Sequence, residues 1–201
     1  MGSNEKTLNM KQLVFATNNR HKLEEVASKI TGQIELLSLD DIGCSDDIEE
    51  TGVTFNENAS IKSNFIYRKY KLNCFGDDSG LEIDALNGEP GIYSARYAGT
   101  HGDHDANIDK VLDKMQDKTD RRARFRTVIS LIWEASEYFF EGTIEGTIRT
   151  ERSGTKGFGY DPVFAPEGYD ITFAEMSMDE KNHISHRAKA MEKLIAFLNG
   201  L

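Results

Sequence analysis

Two adjacent carboxylates, Asp77 and Asp78, stand between Gly76 and Ser79-Gly80. Neighbouring side chains on an extended segment point to opposite faces, so one of the pair can face a cleft while the other braces the backbone behind it. Adjacent carboxylates repel, and a hard cation such as Mg²⁺ relieves that repulsion while supplying Lewis acidity. Taken alone, the stretch is equally an acidic turn between two strands, its glycines permitting tight or left-handed backbone. A second acidic candidate is one of Glu49 and Glu50, just ahead of a helix start where a carboxylate can be fixed facing a cleft.

Cations and donors cluster in two other places. Thr17-Asn18-Asn19 separates an apolar strand from a helix that carries Lys22 in its first turn. Strand, short polar turn and helix aim free backbone N–H groups at an anion, with Thr17, the asparagines and Lys22 adding donors and charge. The turn lacks the glycines and the Gly-Lys-Ser/Thr ending of a Walker A loop, and an Asn-capped helix start is its plainer reading. Lys181, His186 and Arg187 gather where the last helix begins, against the dipole preference for acids there, which points to a bound anion or polar ligand. Between these clusters, Gly154, Gly157 and Gly159 flank Phe158, whose flat ring can stack on a base while glycine backbone approaches a ligand closely. Asp161, before Pro162, is held extended.

The elements that must position these residues are mixed α and β. Gln12 to Thr17 reads as a buried strand, and Leu23, Val26, Ala27 and Ile30 as the apolar face of a helix. Ile34 to Leu39 is a second strand. Thr54 and Glu57 form a capping box opening a helix to about Tyr70. Further helices are expected at Tyr93–Tyr97, Asp105–Met115 and, last, from about Ile184 to Leu198. Arg122 to Trp133 and Tyr138 to Ile148, separated by a polar break at Glu134–Glu137, predict a long antiparallel hairpin. Its arginines 122, 124 and 126 face Glu141 and Glu145 as cross-strand ion pairs on a wet face.

Composition bounds the rest. The 201 residues, 38% hydrophobic and 29% charged, suit one sizeable globular domain over 11–201, with 1–10 as a loose tail. A net charge of −10 argues against nucleic acid as the main partner, while leaving room for a local basic pocket for a small anion. Two cysteines, Cys44 and Cys74, make no disulfide framework and point to a reducing cytosol. No apolar run reaches the roughly 18 residues of a membrane span.

Taken in order, Thr17-Asn-Asn-Arg-His-Lys22, Glu49-Glu-Thr-Gly52, Asp77-Asp-Ser-Gly80, Pro90-Gly-Ile-Tyr-Ser-Ala-Arg96, Gly157-Phe-Gly-Tyr-Asp-Pro162 and Ser185-His-Arg187 resemble the inosine triphosphate pyrophosphatase family. One departure stands in the first block, where Asn18 replaces the family's usual glycine. The resemblance implies an elongated mixed α/β sheet with two lobes flanking a central active-site cleft, a homodimer, a cytoplasmic location and a Mg²⁺ requirement. It implies hydrolysis of ITP, dITP and XTP to the monophosphate and pyrophosphate. Under it, Thr17, Asn18, Asn19 and Lys22 cradle the triphosphate, Glu49 and Asp78 hold the metal, and Asp78 orients the attacking water. Ser79 hydrogen-bonds the substrate; Phe158, Gly159, Tyr160, Asp161, Lys181, His186 and Arg187 form the base pocket. Other readings are a pyrophosphatase for modified pyrimidine nucleotides, a non-catalytic nucleotide sensor and a carboxylate-dependent glycosidase.

Overall fold

The computed structural model describes residues 10–27, 29–30 and 34–200, so all but Met10 of the expected N-terminal tail lies outside the described residues. Six strands form one mixed sheet in the order β2-β1-β3-β4-β5-β6. Strand β1 (Lys11–Phe15) runs parallel to β2 (Ile34–Leu37) and meets β3 (Cys74–Ile83) only at Val14–Cys74 and Phe15–Phe75. Strand β4 (Arg122–Trp133) is antiparallel to β3 along its whole length, then pairs β5 (Ser136–Ile148), which pairs the short β6 (Phe164–Pro166).

The long hairpin is present, with a tighter turn than the polar break suggests. Glu134 and Ala135 alone make it, at φ 48° and 67°, and Tyr138 is already inside β5. Positive φ at both central residues matches the right-handed twist of the strands. The wet face carries the expected ion pairs, Arg124–Glu145 and Arg126–Glu141, each at 2.9 Å. Alternation holds only to Arg126; from Thr127 onward β4 is buried on both faces. Helix α2 (Phe55–Tyr70) packs against β3 and β4, and helix α5 (His186–Asn199) against β4 and β5. Between them they cover both faces of the sheet centre.

Local chemistry sets the ends of the helices. Thr54 Oγ1 accepts from the Glu57 N–H at 3.1 Å, but the Glu57 carboxylate reaches back to the Val53 N–H at 2.7 Å, one residue short of a true capping box. Helix α1 (Arg20–Ala27) is capped by Asn19, whose Oδ1 accepts from the Lys22 N–H at 3.2 Å. Helix α3 spans His104–Lys114, and the expected helix near Tyr93 is a 3₁₀ segment, Gly91–Arg96. The last helix, expected from about Ile184, is α5; a short helix that was not expected, α4 (Met178–Ile184), precedes it and ends at Ser185, whose hydroxyl then caps α5. Lys181 therefore sits in the last turn of α4, where the dipole favours a cation. The argument from misplaced cations survives only for His186 and Arg187.

The acidic stretch is no turn. It lies wholly inside β3, and its glycines serve close approach rather than left-handed backbone. A Cβ at Gly76 would fall 2.7 Å from the Ala59 carbonyl oxygen on α2, and one at Gly80 would fall 2.3 Å from the Gly91 carbonyl oxygen. Gly76→Ala is expected to destabilise the fold by about 1–3 kcal/mol by forcing α2 off the sheet. An unchanged urea midpoint in that variant would show that α2 yields freely.

Candidate active site

Strand β1 ends at Phe15 while β3 continues to Ile83. Beyond Phe75 the edge of β3 facing β1 is free of strand pairing until Glu82 bridges to Pro90. A cleft of about 660 Å³ opens there, with Asp78, Ser79 and Gly80 at its base. Thr17, Asn18, Asn19 and Lys22 line it from the N-terminal side, and Phe158, Gly159, Tyr160, Asp161, Lys181, His186 and Arg187 from the C-terminal side. Glu49 lines it too, so every residue given a role under the resemblance reaches this cavity, whereas Asp77 does not line it.

Asp77 and Asp78 divide as extended backbone requires. Asp78 lines the cleft, with Oδ2 accepting from Asn58 Nδ2 at 2.9 Å and Oδ1 from its neighbour's N–H at 2.9 Å. Burial raises its pKa above the ordinary carboxylate value; Lys62 opposes the rise and Glu50 adds to it. Asp77 lies 2.9 Å from Lys22 Nζ and 3.6 Å from Arg187 Nε. Burial pushes its pKa up, but Lys22, Arg187 and Lys62 together hold it well below the carboxylate range. Ser79, expected to meet the substrate, shares its hydroxyl with Asp77 at 3.1 Å, Thr127 at 2.8 Å and Arg187 at 3.3 Å. In this state it organises the charged pair instead of presenting a free donor.

The turn at Thr17-Asn18-Asn19 is built without strain at the unusual position. Asn18 does not enter the left-handed region, so asparagine replaces glycine there at no backbone cost. Among the described residues no three His, Cys, Asp or Glu side chains converge on one point. Glu50 is engaged with Lys62 at 2.5 Å and Arg96 at 3.7 Å, while Asp78 and the exposed Glu49 and Asp47 also line the cleft as metal-ligand candidates. Two carboxylates fit a magnesium ion, which keeps several waters and takes phosphate oxygens as its other ligands.

The base side is rigid. Asp161 accepts from the Phe158 N–H at 2.9 Å and from Lys181 Nζ at 2.7 Å, so these two residues expected in the base pocket are paired with each other. Gly157 makes this possible, because a Cβ there would lie 2.0 Å from Asp161 Oδ2. Tyr160 lines the cleft but is mainly a packing residue, 4% exposed, its hydroxyl donating to the Ser94 carbonyl at 2.9 Å. His186 stacks on Phe125 at 4.8 Å, and its buried Nδ1 has no hydrogen-bond partner among the described residues. A buried polar atom without a partner is a site that a ligand group can satisfy.

Sequence reading missed Asn58, Lys62 and Glu25. Asn58 holds Asp78; Lys62 holds Glu50; Glu25, buried on α1, pairs with Lys181 at 3.3 Å and with Arg187. A signal was available on α2, where Asn58 and Lys62 interrupt the face that buries Phe55, Ala59 and Ile66. A polar side chain in an apolar stripe needs a partner.

Burial, then Arg187, Lys181 and Lys22, hold the His186 pKa well below 6.5. Below that ordinary value the unfolded chain binds a proton that folded His186 refuses, so stability falls as pH drops. The loss from this group sets in as pH falls through the ordinary imidazole range, between about pH 7 and about pH 5. The ligand-free His186→Asn variant should lose correspondingly less over that window in chemical denaturation. Equal losses in the two proteins would remove His186 as the cause.

The Ham1 family model matches residues 13–197. The chain is 50% identical over 188 residues to the dITP/XTP pyrophosphatase of Christiangramia forsetii, covering 94% of this chain and 99% of that one. It is 51% identical over 190 residues to the dITP/XTP pyrophosphatase of Porphyromonas gingivalis, covering 94% and 98%. The solved Staphylococcus aureus Ham1 protein superposes with a TM-score of 0.88 at 43% identity, covering 94% of this chain and 99% of that one. Matched from its first strand to its last helix, in sequence and in fold, this chain belongs to the Ham1 family.

Proposed function

We propose that this chain is a nucleoside-triphosphate diphosphatase that hydrolyses the non-standard purine nucleotides ITP, dITP and XTP to the monophosphate and pyrophosphate, clearing them from the nucleotide pool. One observation carries the reading. A single cleft joins the Asp78 carboxylate and the Lys22 turn to an aromatic ring and a buried, partnerless imidazole nitrogen. The relatives named for dITP and XTP hydrolysis agree with that chemistry.

Thr17, Asn18, Asn19 and the start of α1 bind the triphosphate, and Lys22 offsets charge on the departing pyrophosphate. Asp78 orients a water at the α-phosphorus and takes its proton. The new bond forms from that water's oxygen to the α-phosphorus, and the bond from the α-phosphorus to the bridging oxygen breaks. Glu49 and Asp78 would hold Mg²⁺, which when bound supplies Lewis acidity and charge neutralisation on the phosphates. Asn58 keeps Asp78 aimed into the cleft, since its amide is anchored in turn by the Gly52 N–H at 2.8 Å. Phosphoryl transfer relies mainly on such positioning and charge stabilisation.

Base choice rests on hydrogen-bond polarity. Hypoxanthine and xanthine carry an acceptor oxygen at C6 where adenine carries an amino donor. Donors from His186, Arg187 and the nearby backbone pair with the oxygen and stand unpaired against adenine, a mismatch that buried sites punish strongly. Phe158 stacks on the ring, and the Asp161–Lys181 pair fixes the height of that platform. Our reading extends to a homodimer acting in the cytoplasm on free nucleotides, with neither nucleic acid nor membrane as partner. The charge of −10 supports the exclusion of nucleic acid.

Pyrophosphate release from a panel of nucleoside triphosphates, with and without Mg²⁺, tests the reading directly. Turnover should require the metal, and kcat/KM for ITP should exceed that for ATP by about 100-fold or more. Comparable values for ATP would overturn the base assignment. Asp78→Asn should lower kcat by about 10²- to 10⁴-fold while nucleotide binding largely survives; near-normal turnover would remove Asp78 from its role.

A further inference from the structure

The cleft wall includes Phe158, Lys181 and Arg187 but not His21. His21 is exposed in the first turn of α1, one residue before Lys22, and its ring lies parallel to that of Phe158. The ring centroids are 5.2 Å apart and the planes differ by 12°. His104, at the start of α3, approaches the same ring less closely, at 6.4 Å and tilted by 49°. Lys181 Nζ lies 4.9 Å and Arg187 Cζ 5.8 Å from the Phe158 centroid, and both belong to the cleft wall. Phe158 is thus in contact both with cleft cations and with a parallel imidazole that does not itself line the cleft.

We propose that His21 is a positioning residue for base binding: it backs the Phe158 ring and ties the helix that starts at the phosphate-binding turn to the loop that stacks the purine. The inference rests on the reading of Phe158 as the base platform. The loop needs such a tie. Gly154, Gly157 and Gly159 all have positive φ, and a segment so rich in glycine loses much conformational freedom when it orders. Asp161 fixes the backbone of Phe158 at its N–H, but a backbone hydrogen bond leaves the ring free to rotate about its side-chain torsions. A parallel stack restrains that rotation, and a ring already held in plane gives a purine a preformed surface. Because His21 adjoins Lys22, a shift of α1 about the phosphates is transmitted directly to the Phe158 ring through this stack, beside the indirect path from Glu25 through Lys181 and Arg187.

Equilibrium binding to the full-length protein, read by calorimetry without added divalent metal, tests this independently of turnover. His21→Ala is expected to raise the Kd for ITP about 3- to 10-fold, while the Kd for inorganic tripolyphosphate stays within about twofold. His21→Phe should restore ITP binding, since any flat ring can back Phe158. In a Phe158→Ala background, His21→Ala should add little further loss, because the two residues act through one contact. No change in ITP binding, an equal loss for tripolyphosphate, or an undiminished loss in the Phe158→Ala background would each overturn the proposal. Normal ITP binding by Phe158→Ala itself would instead remove the platform reading. Failure of the wild-type chain to hydrolyse ITP would count against the reaction and leave the binding comparison intact.

Discussion

A buried set of matched charges holds the molecule's working parts together. Asp77 on β3 and Glu25 on α1 meet Arg187 at the start of α5; Glu25 and Asp161 meet Lys181 on α4; and Lys22 closes the set on Asp77. All but Lys22 among these side chains are 6% exposed or less. A lone buried charge is expensive, and breaking a buried pair costs about 3–5 kcal/mol because its partner is left uncompensated. None of these segments can therefore adopt its native place without the others. Residues near position 20, near 77 and from 161 to 187 are brought to one point by charge matching as much as by apolar burial.

The sheet provides the space that those charges surround. Had β1 run on beside β3, its backbone would have filled the edge where Asp78, Ser79 and Gly80 now meet the cleft. Stopping β1 at Phe15 leaves that edge to a turn of polar residues and to α1, so the strand's end becomes a binding surface. On the other face, α2 lies close enough to β3 that only glycine fits at position 76, which brings Asn58 within reach of Asp78. The catalytic candidate is held by a rigid strand and a rigid helix, the arrangement that keeps reacting groups in a fixed geometry.

Much of this was readable from local signals. The Thr54 cap, the apolar faces of α1 and α5, and the hairpin with its arginine–glutamate pairs follow from periodicity and side-chain chemistry acting over a few residues. Where reading failed, distant contacts had overridden local preference. Asp77–Gly80 looks like a turn because two glycines and two acids suit one, yet it forms a central strand because β4 pairs every residue of it. The short helix α4 ahead of the last one went unread, and Ser185 separates the two, its hydroxyl capping α5. Glu25 reads as one more exposed acid, and its burial depends on cations more than 150 positions away in the chain.

The order of side-chain types along the chain determined which groups are available: adjacent carboxylates, a donor-rich turn before a lysine, an aromatic ring between glycines, and a histidine–arginine pair. It also determined that Asp77 and Asp78 face apart if their segment is extended, and pairing with β4 made it so. Tertiary structure alone decided which of the two faces the cleft, that Asn58, Lys62 and Glu25 belong to the site, and that His186 is buried beyond easy protonation. The reason is physical. Alternation and helix periodicity are properties of the backbone over a few residues, whereas burial and charge pairing depend on what arrives from elsewhere in the chain.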